Sequence, residues 1–156
     1  MRVSFCIPCY ESHGKAKQYL FEIFYALTQQ TCKDFNVWIS DHSKNDDVLE
    51  ACQEYADLFE INYVKNTEGI GSISANTNCA LEHADGEILK IMFQDDFILT
   101  KTLVEELDKA FQNDVLWAVT GFAHTIDNGH THYNPKLPQY NDRLLEGVNT
   151  LSSPSI

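Results

Sequence analysis

What most constrains this chain is an alternation. Short β-branched or aromatic runs take turns with longer stretches of helical periodicity, from the N-terminus almost to residue 120. Val3 to Ile7 reads as a strand stopped by Pro8. From Lys15 to Gln30, the residues Ala16, Leu20, Ile23, Phe24 and Leu27 recur on one helical face. Phe35 to Ser40 is a second strand. Val48, Cys52, Tyr55, Ala56 and Phe59 mark a second helix, and Ile61 to Val64 a third strand. Ile73, Thr77, Ala80, Leu81 and Ala84 give a third helical face, closed by Asp85-Gly86, where glycine suits a left-handed helix end. Ile88 to Phe93 is the most apolar strand. A fourth helix follows from about Thr102, with Glu105 completing a capping box, and Val115 to Thr120 is expected to be a fifth strand.

Strands that alternate with helices build a largely parallel sheet covered on both faces. The expected fold is therefore α/β, a Rossmann-like three-layer αβα arrangement. The 156 residues suit one domain, and neither a linker nor an internal repeat is evident. Phe122 to Arg143 breaks the pattern. It is rich in His, Asn, Pro and Gly, lacks periodicity, and reads as a long functional loop.

Charge and cysteine content narrow the function. A formal net charge of −12 argues against a nucleic-acid surface, which needs a basic face. An acidic protein can still hold a diphosphate if a cation lies between its carboxylates and the phosphates. No run of eighteen apolar residues suggests a transmembrane helix, and the first residues lack a signal-peptide pattern. The five cysteines are odd in number and scattered, which points to a reducing compartment, so a cytoplasmic location is expected. Cys6 and Cys9 form a C-x-x-C, but without a second ligand pair they read as small residues around Pro8 at a strand end.

In open parallel sheets, ligands bind beyond the carboxyl ends of the strands. Pro8-Cys9-Tyr10-Glu11 follows the first strand, Asp41-His42-Ser43 the second, Asn66 to Gly71 the third, and Gln94-Asp95-Asp96 the fourth. Adjacent carboxylates at the end of so apolar a strand repel each other and invite a cation. Hard oxygen ligands of this kind suit Mg2+ or Mn2+. Asp41 is placed to accept a base-edge N–H, Tyr10 to stack on a base or wall the pocket, and Gly69 and Gly71 to let backbone approach a phosphate. His124, His130 and His132 read as solvated loop residues rather than as a metal set.

These stretches resemble family 2 glycosyltransferases of the GT-A fold. Val3 to Glu11 resembles the family's opening strand followed by P-x-Y-N/E, and Asp41 to Asp46 its D-D/N-x-S-x-D loop. Gly71 to Glu87 resembles its glycine, A-R-N and A-x-G-E stretch, and Met92 to Asp96 its L-D-x-D-D region. Gly147-Val148-Asn149 with Ser152-Ser153-Pro154-Ser155 resembles its later G-x-N and P-S. The resemblance implies transfer of a hexosyl-type sugar from a nucleotide-diphosphate sugar, UDP-linked, to a glycan or other hydroxyl acceptor, with inversion and metal assistance. It also implies that Pro8, Tyr10 and Glu11 frame the nucleoside, that Asp41 meets the base, and that Asn78 and Gln94 lie near the nucleotide. Asp95 is the implied metal ligand, with Asp96 beside it.

The chain departs from the pattern at Phe93, where the family's first acidic residue stands, and at Thr77, where it has Arg. The resemblance places the catalytic base beyond the P-S segment, whereas the sequence stops at Ile156. No base is assigned, and residues 1–156 are expected to form a nucleotide-sugar-binding domain lacking the C-terminal acceptor-binding part. The alternative is a nucleotide- or glycan-binding module without turnover. Nucleotidyl transfer would want a glycine-rich, basic loop after the first strand, and Pro8 to Gly14 has a single glycine. A phospho-acceptor receiver domain would want its acidic pair after the first strand, not the fourth.

Overall fold

β1 (Val3–Cys9) is buried at every position, as a strand is when helices cover both faces of a parallel sheet. The computed structural model describes residues 2–112, 114–120, 122–125 and 132–136. It places β1 between β2 (Phe35–Asp41) and β4 (Ile88–Ile91), with β3 (Ile61–Lys65) outside β2. The order is β3-β2-β1-β4 and every pairing is parallel. The architecture is α/β with a parallel sheet, as the alternation predicts.

Side chains alternate across a strand, so β1 and β2 present two chemically distinct faces. Val3, Phe5, Ile7, Phe35, Val37 and Ile39 enter a single apolar core. α1 (Ala16–Thr28) and α2 (Asp47–Tyr55) cover that face with Leu20, Ile23, Phe24, Leu27, Val48 and Ala51. α4 (Leu103–Ala110) adds Val104 and Leu107. Burial of such side chains is worth roughly 1.5–3 kcal/mol each, which makes this face the main source of stability.

The other face is more polar, with Ser4, Asn36 and Ser40 among its residues. It meets α3 (Ile73–His83), whose buried residues are Asn76 and Ala80. Ser40 Oγ donates to Asn76 Oδ1 at 2.6 Å, and the Trp38 ring lies 6.1 Å from that of His83. Ser4 Oγ donates to Asn36 Oδ1 at 2.7 Å and accepts from Gly86 N–H at 2.8 Å.

Four local expectations change. Val115 to Thr120 is not a strand; Leu116 and Trp117 are 90% and 60% exposed, and the run joins neither sheet of the described residues. Part of the expected loop is instead paired, β5 (Phe122–Thr125) lying antiparallel to β6 (His132–Lys136). The capping box at Thr102 is absent, because its hydroxyl donates to the Glu106 carboxylate and not to a backbone amide. Gly86 does not end a helix in a left-handed conformation, since α3 stops at His83 and Ala84 is extended. Gly86 is required by proximity: a Cβ there would lie 2.6 Å from Ser4 N and Oγ. Among the described residues, no helix is long and apolar enough to cross a membrane.

Candidate functional site

The sheet reverses its winding at β1. β2 and β3 extend it to one side, and β4 joins on the other. A crevice opens beyond the strand ends at such a switch point. Here it is a cavity of about 360 Å3. Pro8, Cys9, Tyr10 and Ser12 line it from the end of β1, and His42 from the end of β2. Phe93, Gln94 and Asp95 enter from beyond β4, and Gly71, Ser72, Ile73 and Asn76 from the start of α3.

The turn into α3 is tightly specified. Gly69 has φ +61, and a Cβ there would meet Ala75 Cβ at 2.6 Å, so no other residue fits. Ser72 N–H donates to Gly69 O at 2.9 Å, and Ser72 Oγ caps the helix by accepting from Ala75 N–H at 3.2 Å. The N-terminus of α3, with the positive end of its dipole, therefore forms part of the cavity wall.

Beneath the cavity lies a polar floor. Asn76 Nδ2 donates to Cys9 O at 2.9 Å while its Oδ1 accepts from Ser40. Asn76 thus ties α3 to the carboxyl ends of both β1 and β2. His42 N–H donates to Cys9 O, and His42 Nε2 lies 3.0 Å from Glu68 O.

Of the residues singled out from sequence, the structure brings Pro8, Tyr10, Gly71, Gln94 and Asp95 to the cavity wall. Tyr10 is 44% exposed, so its ring is free to stack on a planar ligand. Gln94 does not reach out. Its amide Oε1 accepts from Tyr10 N–H and its Nε2 donates to Tyr10 O, both at 2.9 Å. Asp95 is exposed, and its carboxylate takes neither a hydrogen bond nor a salt bridge from the described residues.

Four others do not line the cavity. Glu11 caps α1: its carboxylate accepts from the amides of His13, Gly14, Lys15 and Ala16. Desolvation pushes that carboxyl up, but the four amides outweigh it and hold it below the ordinary value. Asp41 is fully buried on the core side of β2, one alternation away from Ser40. Its Oδ1 accepts from Ser43 N–H at 2.7 Å, and its Oδ2 from Tyr63 OH at 2.7 Å and Lys65 Nζ at 2.9 Å. Asn78 is exposed and points elsewhere, because two residues along a helix is more than half a turn from Asn76. Asp96 turns inward to accept from Phe93 N–H at 3.0 Å. Burial, and then the charge of Asp95, raise its carboxyl above the ordinary value, against the pull of that amide and of Lys90.

Asn76 and His42 are the site residues that sequence reading missed. Asn76 had a signal: it shares a helical face with Ala80, four residues on. His42 had one too, lying one alternation past Asp41.

A divalent cation would find one free carboxylate here, Asp95, and not a ready-made cage. Among the described residues, no three His, Cys, Asp or Glu side chains converge as a metal set. One carboxylate suits Mg2+ or Mn2+ when phosphate oxygens and water complete the shell. The residues fit such an ion only in company with a diphosphate. The C-x-x-C is not a thiol site. Cys6 and Cys9 are buried, and desolvation pushes Cys6 up to about 12 and Cys9 well above its ordinary value. His130 and the motif from Gly147 to Ser155 lie outside the described residues.

In a doubly wound α/β sheet the crevice at the switch point is where ligands bind. The family model described as glycosyl transferase family 2 matches residues 4–152, and the chain belongs to that family. Solved structures share the fold. The crystal structure of S. aureus TarS 1–349 matches with a TM-score of 0.62 at 22% identity, over 70% of this chain and 32% of that one. Its complex with UDP matches with a TM-score of 0.61 at 23% identity, over 70% and 31%. Its complex with UDP-GlcNAc matches with a TM-score of 0.58 at 25% identity, over 70% and 30%. The chain thus spans about a third of the length of these TarS 1–349 chains. No curated protein matches the sequence significantly.

Proposed function

We propose that the cavity at the ends of β1 and β4 binds a UDP-linked sugar, as the nucleotide-binding part of an inverting glycosyltransferase acting on a hydroxyl acceptor. The observation that carries this is the uncommitted carboxylate of Asp95, on the same cavity wall as Tyr10 and the start of α3. Membership of family 2 and the UDP complexes of TarS support it.

Tyr10 would stack on the base, and Pro8 would form the wall behind it. The diphosphate would lie at the N-terminus of α3, and Asp95 would be the residue that holds Mn2+ or Mg2+ beside it. When bound, that ion neutralises charge growing on the departing diphosphate. The acceptor oxygen would bond to the anomeric carbon as the bond to the diphosphate oxygen breaks, its proton passing to a base that no residue here is assigned to supply. Glu11, Asp41 and Asp96 would act from behind the wall, by fixing the loops that carry Tyr10, His42 and Asp95.

Calorimetry with UDP and Mn2+ tests the reading. Binding that needs the metal and is lost in Asp95→Ala is the expected result. No binding at millimolar UDP, or binding indifferent to Asp95→Ala, overturns it. A second reading, binding without turnover, is favoured by one observation: Phe93 lines the cavity where the family's pattern has an acid. Release of UDP from a UDP-sugar separates the two.

A further inference from the structure

The acceptor that a base-reading site needs is not Asp41 in this structure. All the acceptor capacity it turns toward the protein is engaged by Ser43, Tyr63 and Lys65, and it has no exposed surface. The next residue behaves differently. One step past Asp41 the side chain changes face, and His42 lines the cavity.

His42 has its tautomer imposed on it. Its Nε2 lies 3.0 Å from the carbonyl oxygen of Glu68. A carbonyl only accepts, so Nε2 carries the proton, and Nδ1 of the neutral ring is then an acceptor. The Glu68 carbonyl is itself held in place. Glu68 N–H donates to Asn66 Oδ1 at 2.9 Å, and Asn66 N–H donates to Asp41 O at 3.0 Å. His42 N–H is tied to Cys9 O at 3.0 Å. No described residue donates to Nδ1, yet that atom is not among the sealed polar atoms lacking a partner. His42 is 5% exposed, and the cavity is the open space it borders.

We infer that His42 Nδ1 reads the base, accepting the imide N–H of uracil or thymine. Cytosine has a lone pair at that ring nitrogen and would oppose acceptor to acceptor. The inference rests on the proposed nucleotide site and sharpens it, since it assigns pyrimidine choice to a residue whose tautomer the protein fixes from behind. Asp41 then becomes a positioning residue, holding Ser43, Tyr63 and Lys65 around the loop that carries His42.

Two substitutions separate the ring's two nitrogens. Gln places its amide where Nε2 stands, keeping a donor for Glu68 O but offering no acceptor at Nδ1. Asn places its amide where Nδ1 stands, keeping the acceptor and losing the Glu68 contact. The full chain is titrated with UDP and with CDP, each with Mn2+. Wild type is expected to prefer UDP by about tenfold or more, the usual consequence of leaving a polar group unpaired. His42→Gln is expected to bring the two nucleotides to within about threefold, while His42→Asn weakens both and keeps the preference. Long-range 15N correlation on the free wild-type protein is expected to show the Nε2–H tautomer, a readout needing no variant. A preference that survives His42→Gln and vanishes in His42→Asn overturns the inference, as does the Nδ1–H tautomer. Equal binding of UDP and CDP by wild type overturns it while leaving the nucleotide site intact. Failure of both to bind removes site and inference together.

Discussion

The side-chain amide of Gln94 grips the backbone of Tyr10 at two points, accepting from its N–H and donating to its C=O at 2.9 Å each. Tyr10 follows β1 and Gln94 follows β4, so the pair continues the sheet's cross-linking past the point where the strands separate. Gln94 was expected to touch the nucleotide. It is committed to holding the residue proposed to do so, and it fixes the spacing between Tyr10 and Asp95 across the cavity mouth.

Gln94→Ala should therefore lower UDP affinity by about tenfold and stability by about 1–2 kcal/mol, the worth of a pair of partly exposed hydrogen bonds. Gln94→Glu should bind UDP worse than Gln94→Ala. It keeps an acceptor for Tyr10 N–H but sets a carboxylate oxygen against Tyr10 O, and it adds negative charge where a diphosphate must come. Urea melts and calorimetry on both variants check this. Equal UDP affinity in wild type and Gln94→Ala would show that the clamp does not organise the site.

Glu11 predicts a pH dependence of known sign. Its carboxyl is held below the ordinary value in the folded chain by the amides at the start of α1, against desolvation. A depressed carboxyl contributes stability that is complete above the unfolded value of about 4.5 and is lost as pH falls through the folded value. Glu11→Ala should cost about 1–2 kcal/mol at pH 7, as loss of a helix cap does. The gap to wild type should close in the acid range. Denaturant melts of both proteins from pH 7 down to about 3 measure it, and a gap that stays constant would remove the ionised carboxylate as its cause.

The apolar periodicities made most of the architecture legible. Ala16, Leu20, Ile23, Phe24 and Leu27 are the buried stripe of α1, as their spacing predicts. The same reasoning was only partly right on α3. It selected Ile73, Thr77, Ala80, Leu81 and Ala84; Ala80 is buried, but Ile73 is 70% exposed and the other buried residue is Asn76. An asparagine belongs there because Cys9 O and Ser40 need partners, and a sequence does not show which backbone groups a fold leaves wanting. Asn78 was expected near the nucleotide from the resemblance to the family's A-R-N; it is exposed, and Asn76, more than half a turn away on the helix, is the one that lines the cavity. The strand ends were legible as a set but not in orientation. Tyr10 and Asp95 reach the cavity, whereas Asp41 and Asp96 turn to backbone amides and buried partners. Val115 to Thr120 had the composition of a strand but is not one in the fold.

Gly86 should tolerate no side chain. A Cβ there meets Ser4 N and Oγ at 2.6 Å, and the backbone nitrogen cannot give way without disturbing β1. Gly86→Ala should destabilise by about 1–3 kcal/mol, in the range of overpacked cores. Gly86→Ala combined with Ser4→Ala should recover only part of this, because the backbone clash remains. Thermal melts of the single and double variants decide the matter. Full recovery in the double variant would locate the conflict in the Ser4 hydroxyl alone.

Lys90 sits 6% exposed on β4, opposite Phe5 in the register, and burial pushes its amine down to about 8 while Asp96 pulls it up. A lysine lowered from 10.5 to about 8 is a net burden at neutral pH, when it is charged in both folded and unfolded chains. Between those values the unfolded chain binds more protons, so this group's contribution to stability rises with pH. The full change is worth on the order of 3 kcal/mol. The buried thiols act oppositely. Cys6 and Cys52 are pushed up to about 12 by desolvation, so above pH 9 the unfolded chain loses protons first and stability falls. Wild type alone would show a blunted profile. The difference between wild type and Lys90→Met cancels the thiols and isolates the lysine. Lys90→Met should be relatively more stable at pH 7 than at pH 10, with the advantage shrinking steadily between pH 8 and 10. Denaturant melts at half-unit steps measure it, and an advantage that grows with pH would contradict the sign of the shift.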